Sequence, residues 1–428
     1  MRDLLLAFFL LTAFPLVIYR YHIGALVIGF ISFMYPQSNT FGFALTTPWL
    51  DYFFIVTFGA YFLGQGYKEY KHHPLITMVS ILYIWVCLTT YFAISPEIAH
   101  TEWLKFTKIM VLAYLVYAML FTEQRLVAFI KVMVLSFGFY GIKGGLFTII
   151  SGGSFYVLGP VNSFYSDNNN TALVLVMTIP FMVFFITHGQ NLYQRYFSIF
   201  CALCTAVAIL GTQSRTGFAA LVVTLLYLIW LQKKFFRALL VITPIAAVAL
   251  FFMPDSWTDR MATTTDTEND QSFQERVDMW EASVRIANDF PVMGGGFDVI
   301  YVPQVIIRYI PLETEARAIH SAYFQMIAEH GYVGLMIFLA MMFLIFHYAR
   351  KMAKECKDIP HLKEWMPDLS YAIRASAAGY LIICYTSNIA FFDLIYFVLV
   401  ITALANVVLQ AQSNLYKSEQ IKKLAVET

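Results

Sequence analysis

The fold class this sequence predicts is an all-α polytopic membrane protein with about 12–13 transmembrane helices and one large outer loop containing short helices. Three observations carry that expectation. Hydrophobic residues fill 59% of the 428 positions and charged residues only 13%, too apolar a balance for an ordinary soluble domain. Apolar runs of about 17–25 residues, the length that crosses a bilayer as a helix, recur along nearly the whole chain. The lysines and arginines between those runs fall in alternate connections.

In order, the apolar stretches cover 4–19, 23–35, 48–65, 74–94, 103–121, 126–150, 171–187, 196–212, 217–231, 238–253, 321–346, 371–390 and 393–410, several of them short or interrupted by proline. The first begins at Leu4 and is followed by another span, with no small-residue cleavage site, so it reads as a retained helix. Lys68 and Lys71, Arg125, Arg195, the group Lys233, Lys234 and Arg237, the cluster Arg350, Lys351, Lys354, Lys357 and Lys363, and the tail Lys417, Lys422 and Lys423 mark one set of connections as cytoplasmic. The other set, 36–47, 94–102, 151–170, 212–216, 254–320 and 388–392, faces outward, which in a bacterium is the periplasm. With thirteen spans the N-terminus is outside as well. Three regions follow: N-terminal helices over 1–195, a membrane core over 196–410 that includes the outer loop 254–320, and a cytoplasmic tail over 411–428.

The five cysteines, Cys87, Cys201, Cys204, Cys356 and Cys384, lie in spans or in a cytoplasmic connection, away from the oxidising side where a bridge would form. Cys201 and Cys204 make a C-x-x-C inside an apolar helix, where two small buried residues explain them without redox or metal chemistry. The net charge of +1 points to no class of partner.

The outer loop carries the chemistry. Between 254 and 320 it holds five arginines, Arg260, Arg276, Arg285, Arg308 and Arg317, and no lysine. It opens on the polar stretch Thr258–Gln274, which reads as solvated and mobile. Next, Val277, Trp280, Val284, Ile286 and Ala287 have the spacing of a short amphipathic helix that ends before Pro291. Gly294-Gly295-Gly296 reads as a turn, although glycine backbone can also approach a ligand closely.

Helical spacing sorts the arginines, because residues four apart share a face. Arg285 has Glu281 and Asp289 at that spacing, and Arg317 has Glu313, so ordinary ion pairs account for both. Arg276 has Ser272, Phe273, Met279 and Trp280 three and four positions away, none of them acidic. A surface arginine snorkelling over Trp280, or a longer-range ion pair, fits the same pattern. Arg215 stands in Gly211-Thr212-Gln213-Ser214-Arg215-Thr216-Gly217, a polar break between two spans at the outer face. An arginine at membrane depth costs roughly 2.5 kcal/mol or more and usually has a partner or a function. A helix-end anchor is the plainer reading, but it does not need the neighbouring Gln213 and Ser214.

A guanidinium presents a fork of donors matched to phosphate and stays charged at physiological pH. Two of them near the outer membrane surface suit the diphosphate of a polyprenyl-linked sugar. His320 closes the loop in Ile319-His320-Ser321, where a neutral imidazole can accept a proton from a hydroxyl near pH 7. A capping or interfacial histidine satisfies the same position. Glu329, two and a half turns further on, points to the opposite helix face. In Ser163–Thr171, Asp167 and Asn168 either hydrogen-bond sugar hydroxyls or cap the following helix. Lys143, among Gly141, Gly144 and Gly145, either reaches a cavity or snorkels to the headgroups.

Taken in order, Ser214-Arg215-Thr216-Gly217, Arg276-x-x-x-Trp280, Pro291, Gly294-Gly295-Gly296, His320-Ser321-x-Tyr323 and Glu329-x-Gly331-x-x-Gly334-Leu335 resemble the O-antigen ligase and polymerase superfamily. Met1-Arg2-Asp3, Tyr35-Pro36, Gly159-Pro160-x-x-Ser163-Phe164 and Asp167-Asn168-Asn169 are similar to its branch of exosortase A-associated O-glycosylation ligases. The resemblance implies a metal-independent, inverting glycosyltransfer with no cofactor, at the periplasmic face of the inner membrane, from an undecaprenyl-diphosphate-linked glycan to a hydroxyl. It implies His320 as the base and Arg215 and Arg276 as the diphosphate holders. Gln213, Ser321, Arg317, Asp167, Asn168 and Lys143 are secondary candidates. The acceptor, a protein, a lipid or another glycan, separates ligase from polymerase and stays open. A transporter of the same lipid would call for midplane charges and an internal repeat, whereas the features here gather at one face.

Overall fold

The structure, a computed structural model, describes residues 1–64, 71–189, 191–233, 271–310 and 317–427. Every regular element among them is helical: α1 (Arg2–Tyr19), α2 (Tyr21–Met34), α3 (Trp49–Leu63), α4 (Pro74–Tyr91), α5 (Pro96–Met119), α6 (Glu123–Ile150), α7 (Asn168–His188), α8 (Leu192–Gly211), α9 (Arg215–Gln232), α10 (Gln271–Asp289), α11 (Ala322–Glu355), α12 (Pro360–Ile383) and α13 (Asp393–Glu427). Single turns of helix occupy parts of the connections.

Eight of these helices are long and apolar enough to cross a membrane, namely α1, α4, α6, α7, α8, α9, α11 and α13. Two more, α2 and α3, are apolar but shorter. α5 and α12 have spanning length and carry charge, with Glu102, Lys105 and Lys108 on the first and Asp368 and Arg374 on the second. The expected span at 238–253 lies outside the described residues, as does most of the polar stretch 258–274. The protein is a multi-pass membrane protein.

Local chemistry explains where the helices start. Thr122, Asp167, Asn191 and Ser214 accept backbone N–H bonds at the starts of α6, α7, α8 and α9. Proline stands first in α4, α5 and α12, where its missing N–H costs nothing. Asp3 ties the N-terminus down by accepting from the N–H groups of Gly42 and Ala44 at 2.9 and 3.1 Å. The membrane half of α13 is hydrophobic all round and sits inside the bundle, where Phe397 meets Phe33 and Phe129 at ring separations of 5.1 and 5.8 Å.

α6 and α8 pack through small residues. A Cβ on Gly138, Gly141 or Gly145 would come within 2.0–2.5 Å of Cys201, Thr205 or Cys204. Such faces let backbones approach closely in a bilayer. Cys201 and Cys204 are free and buried at this contact, the packing part expected of them.

α11 breaks at Gly331, whose φ of 70° and ψ of −178° belong to glycine alone. The break frees carbonyls, and the glycine loop before it fills them: the N–H groups of Gly295 and Gly296 donate to the carbonyls of Ala328 and Glu329, at 2.8 and 2.9 Å. Trp85 Nε1 donates to the His330 carbonyl at 3.0 Å, and the Tyr332 N–H reaches back to the Pro291 carbonyl at 2.9 Å. The Gly294–Gly296 run is thus the dock for a broken membrane helix, which satisfies backbone groups that lipid cannot.

Candidate functional site

α10 builds one wall. It begins at Gln271, so its first turn takes residues 271–274 from the stretch expected to be mobile; Gln and Glu extend a helix readily. Met279, Ala282, Ile286 and Ala287 are its buried face. Ala282 and Ile286 join Val299, Ile300, Ile306 and Ile319 in a small core separate from that of the membrane bundle. That core fixes α10 and the His320 loop relative to each other.

Two further links join them. Trp280 Nε1 donates to the Ile319 carbonyl at 2.8 Å, with the indole stacked on Phe324 at a centroid distance of 5.1 Å and an interplanar angle of 8°. Glu275 forms an ion pair with Arg317. The expected partner of Arg317, Glu313, lies outside the described residues, and the observed pair has a different effect: it ties the loop to α10 next to Arg276. Arg285 does pair with Glu281, at 3.0 Å, while Asp289 accepts from the Tyr309 hydroxyl at 2.7 Å.

His320 is held in an unusual backbone conformation, φ 52°, a region that non-glycine residues rarely adopt. Its neighbours are bonded on both sides. Ile319 accepts from Trp280, the Ser321 N–H donates to Asn388 Oδ1 at 3.1 Å, and the Ala322 N–H donates to the Cys384 carbonyl at 2.8 Å. Ser321 Oγ also donates to the Cys384 carbonyl, at 3.3 Å. Ser321 therefore positions the loop. Backbone strain held by surrounding bonds is typical of residues kept for function.

The third wall comes from the starts of α7 and α9. Asp167 Oδ1 accepts from the N–H groups of Asn169 and Asn170, both at 2.9 Å, so the capping reading of Asp167 holds. Asn169 Oδ1 accepts from Ser214 Oγ at 2.6 Å, and Asn168 Nδ2 donates to the Thr212 carbonyl at 3.2 Å. Gln213, buried and with φ 54°, donates to the Gly153 carbonyl at 2.9 Å. These bonds set Arg215 as the first residue of α9, at the positive end of the helix dipole. Thr386 Oγ1 donates to Thr216 Oγ1 at 2.8 Å, connecting this wall to the turn that holds Ser321.

Two charged groups act on His320. Burial lowers its pKa below the ordinary imidazole value, Arg276 lowers it further, and Asp167 opposes both. An imidazole kept neutral is the form that accepts a proton. Arg276 and Asp167 thus both act on the His320 ring, and the Thr216–Thr386 bond joins the start of α9, which bears Arg215, to the turn after α12 that holds Ser321. Lys143 is exposed and lines a separate cavity of about 340 Å³ with Asn39, Tyr140 and Thr171. Among the described residues, no group of three or more His, Cys, Asp or Glu is arranged to hold a metal ion.

Sequence reasoning missed Asn388 and Thr386. Both lie in Thr386-Ser387-Asn388, a polar interruption between two apolar runs, and that interruption was the available signal.

The architecture defines a class: a polytopic membrane protein in which α10 and the segment before α11 bring an arginine and a histidine together, with a second arginine at the start of α9. Residues 199–339 match the family model described as O-Antigen ligase, and that stretch contains Arg215, Arg276 and His320. Residues 1–190 match a model described as a family of unknown function (DUF5935). No curated protein matches the chain.

Proposed function

We propose that the protein is a glycosyltransferase of the O-antigen ligase type. It transfers a glycan from an undecaprenyl-diphosphate carrier to a hydroxyl at the periplasmic face of the bacterial inner membrane. The observation that carries this reading is the shared environment of His320 and Arg276 on an α10–loop unit, tied to the α9 terminus that bears Arg215. The O-antigen ligase match over 199–339 supports the same class.

In the reaction, neutral His320 takes the proton of the acceptor hydroxyl as its oxygen attacks the anomeric carbon from the face opposite the leaving group. The bond to the diphosphate breaks with inversion. Arg215 and Arg276 receive the charge that develops on the diphosphate, which makes a metal ion unnecessary. Stabilisation of developing charge by one placed donor contributes about 3–4 kcal/mol, and general-base help about 10²–10⁴-fold in rate. Asp167 moderates the effect of Arg276 on the imidazole. The N-terminal motifs favour the exosortase A-associated branch, with 1–195 as accessory helices and 196–410 as the transferring core.

The test is the purified chain in liposomes with undecaprenyl-diphosphate glycan and candidate acceptors, following released undecaprenyl diphosphate. Glycan moved to a protein or lipid establishes a ligase, and lengthened lipid-linked chains establish a polymerase. A glycan lipid that only changes leaflet contradicts the reading and makes the protein a transporter.

A further inference from the structure

Along α11 one stripe of side chains changes character toward the far end of the helix. Phe343, Phe346 and His347 give way to Arg350, Lys351 and Lys354, at spacings of three and four that keep them on one face. They line a cavity of about 900 Å³, to which α9 contributes Tyr227 and α12 contributes Ala378. Arg350 stands about 28 Å along the helix from the break at Gly331, close to the roughly 30 Å of a bilayer's hydrocarbon core. The cavity therefore lies at the opposite side of the membrane from the His320 segment.

Its charge is positive. Arg350 and Lys354 form no ion pair among the described residues, and Lys351 faces the one acid of the described lining, Glu355, at 3.8 Å. A further cation stands behind the wall. Arg374, buried on α12 one turn before Ala378, donates through Nη2 to the Tyr227 hydroxyl at 3.0 Å and lies over that ring at 5.6 Å. No described acid neutralises it, and its Nε has no hydrogen-bond partner among the described residues. A cation buried without a counter-charge acts strongly on its surroundings, because little solvent screens it, and such residues in a membrane bundle mark ligand sites.

A soluble anion would explain the cations and leave the rings without a purpose. Phe343 is 67% exposed on a membrane-crossing helix, so what it meets there is acyl chain. From Phe343 to Lys354 the stripe runs about 16 Å along the axis, apolar on the membrane side and cationic at the surface. A phospholipid presents its chains and its phosphate in that order. Guanidinium and ammonium groups match the phosphate, and basic pockets between membrane helices take anionic headgroups.

We infer that this cavity binds an anionic phospholipid, with its phosphate on Arg350 and Lys354 and its chains along Phe343 and Phe346. The lipid bridges α9, α11 and α12, the three helices whose opposite ends carry Arg215, the His320 segment and the Thr386–Asn388 turn. Binding asks nothing of the glycan chemistry, so it stands or falls apart from the transferase reading.

The experiment titrates the full chain, in detergent micelles, with phosphatidylglycerol or with phosphatidylcholine of the same chains, and measures bound lipid by native mass spectrometry. The variant is Arg350→Gln with Lys354→Gln; Lys422→Gln with Lys423→Gln removes the same charge from the exposed tail. A cation near the headgroup contributes about five-fold in affinity. The site variant should therefore bind phosphatidylglycerol about 20-fold more weakly, near the level of phosphatidylcholine, while the tail variant binds it as the parent does. Equal affinity of the parent for the two lipids, unchanged phosphatidylglycerol binding in the site variant, or an equal loss in the tail variant would each overturn the site. Displacement of phosphatidylglycerol by excess inorganic phosphate would make this a phosphate site and overturn the lipid assignment. Should the double variant fail to accumulate, Arg350→Gln alone should lose about five-fold, and parent-level binding by it would overturn the site.

Discussion

Removal of Trp280 tests whether the site is assembled from two separate pieces of chain. The indole holds α10 on the segment around His320 through the 2.8 Å bond from Nε1 to the Ile319 carbonyl and the parallel stack on Phe324, in the first turn of α11, at 5.1 Å, and its ring also meets Tyr385 at 5.3 Å. The hydrogen bond contributes about 1 kcal/mol and the stack about another 1 kcal/mol. If Trp280→Ala lowers the population of the assembled site by their sum, roughly 2 kcal/mol, the rate falls about 30-fold. Trp280→Phe keeps the stack and loses the bond, so its loss should be about five-fold. The Glu275–Arg317 pair is a parallel link between the same two pieces, so Glu275→Gln combined with Trp280→Phe should lose more than the product of the single losses. The assay is release of undecaprenyl diphosphate at equal membrane levels. Activity of Trp280→Ala within two-fold of the parent would refute the reasoning, because the loop and Arg276 would then not depend on this contact for their arrangement.

Charge around His320 makes a pH prediction. Its neutral form is the working one, and Arg276 disfavours the protonated form, so Arg276→Gln should move the acidic limb of kcat/KM to higher pH while Arg276→Lys leaves it nearer the parent's position. Asp167→Asn should move the same limb to lower pH, because the carboxylate favours the imidazolium. Gly331→Ala places a Cβ 2.2 Å from the Val292 carbonyl oxygen, in a backbone region that costs a side chain about 1–3 kcal/mol, so the folded yield in detergent should collapse. By contrast, Cys201→Ala and Cys204→Ala should transfer glycan within two-fold of the parent under oxidising and reducing conditions alike, since both cysteines are packing residues.

The membrane helices were legible because their signal, an apolar run of a given length, is local. α5 and α12 blur it: charges such as Glu102, Lys105 and Asp368 lie within helices of spanning length. The amphipathic helix at α10 was legible from the spacing of its apolar residues, and its start at Gln271 was not, since polar helix formers there resemble a solvated loop. The glycine run read as a turn or as a close approach to a ligand. That it docks the broken helix at Gly331 depends on a contact between segments more than thirty residues apart, and local patterns do not encode it. Arg317 shows the same limit, because spacing proposed Glu313 and the fold supplies Glu275. Arg215, Arg276 and His320 stood out in sequence by residue type and position. What holds them, Asn388, Thr386 and the Trp280–Ile319 bond, became visible only in three dimensions.

The most direct measurement is the rate of undecaprenyl diphosphate release by Arg215→Ala, Arg276→Ala and His320→Ala against the parent, in liposomes at matched protein levels. The account predicts that each loses about 100-fold or more, and that either arginine variant loses at least as much as the histidine variant, since the leaving diphosphate gains most from its cations. Parent-level release by Arg215→Ala or Arg276→Ala would contradict it.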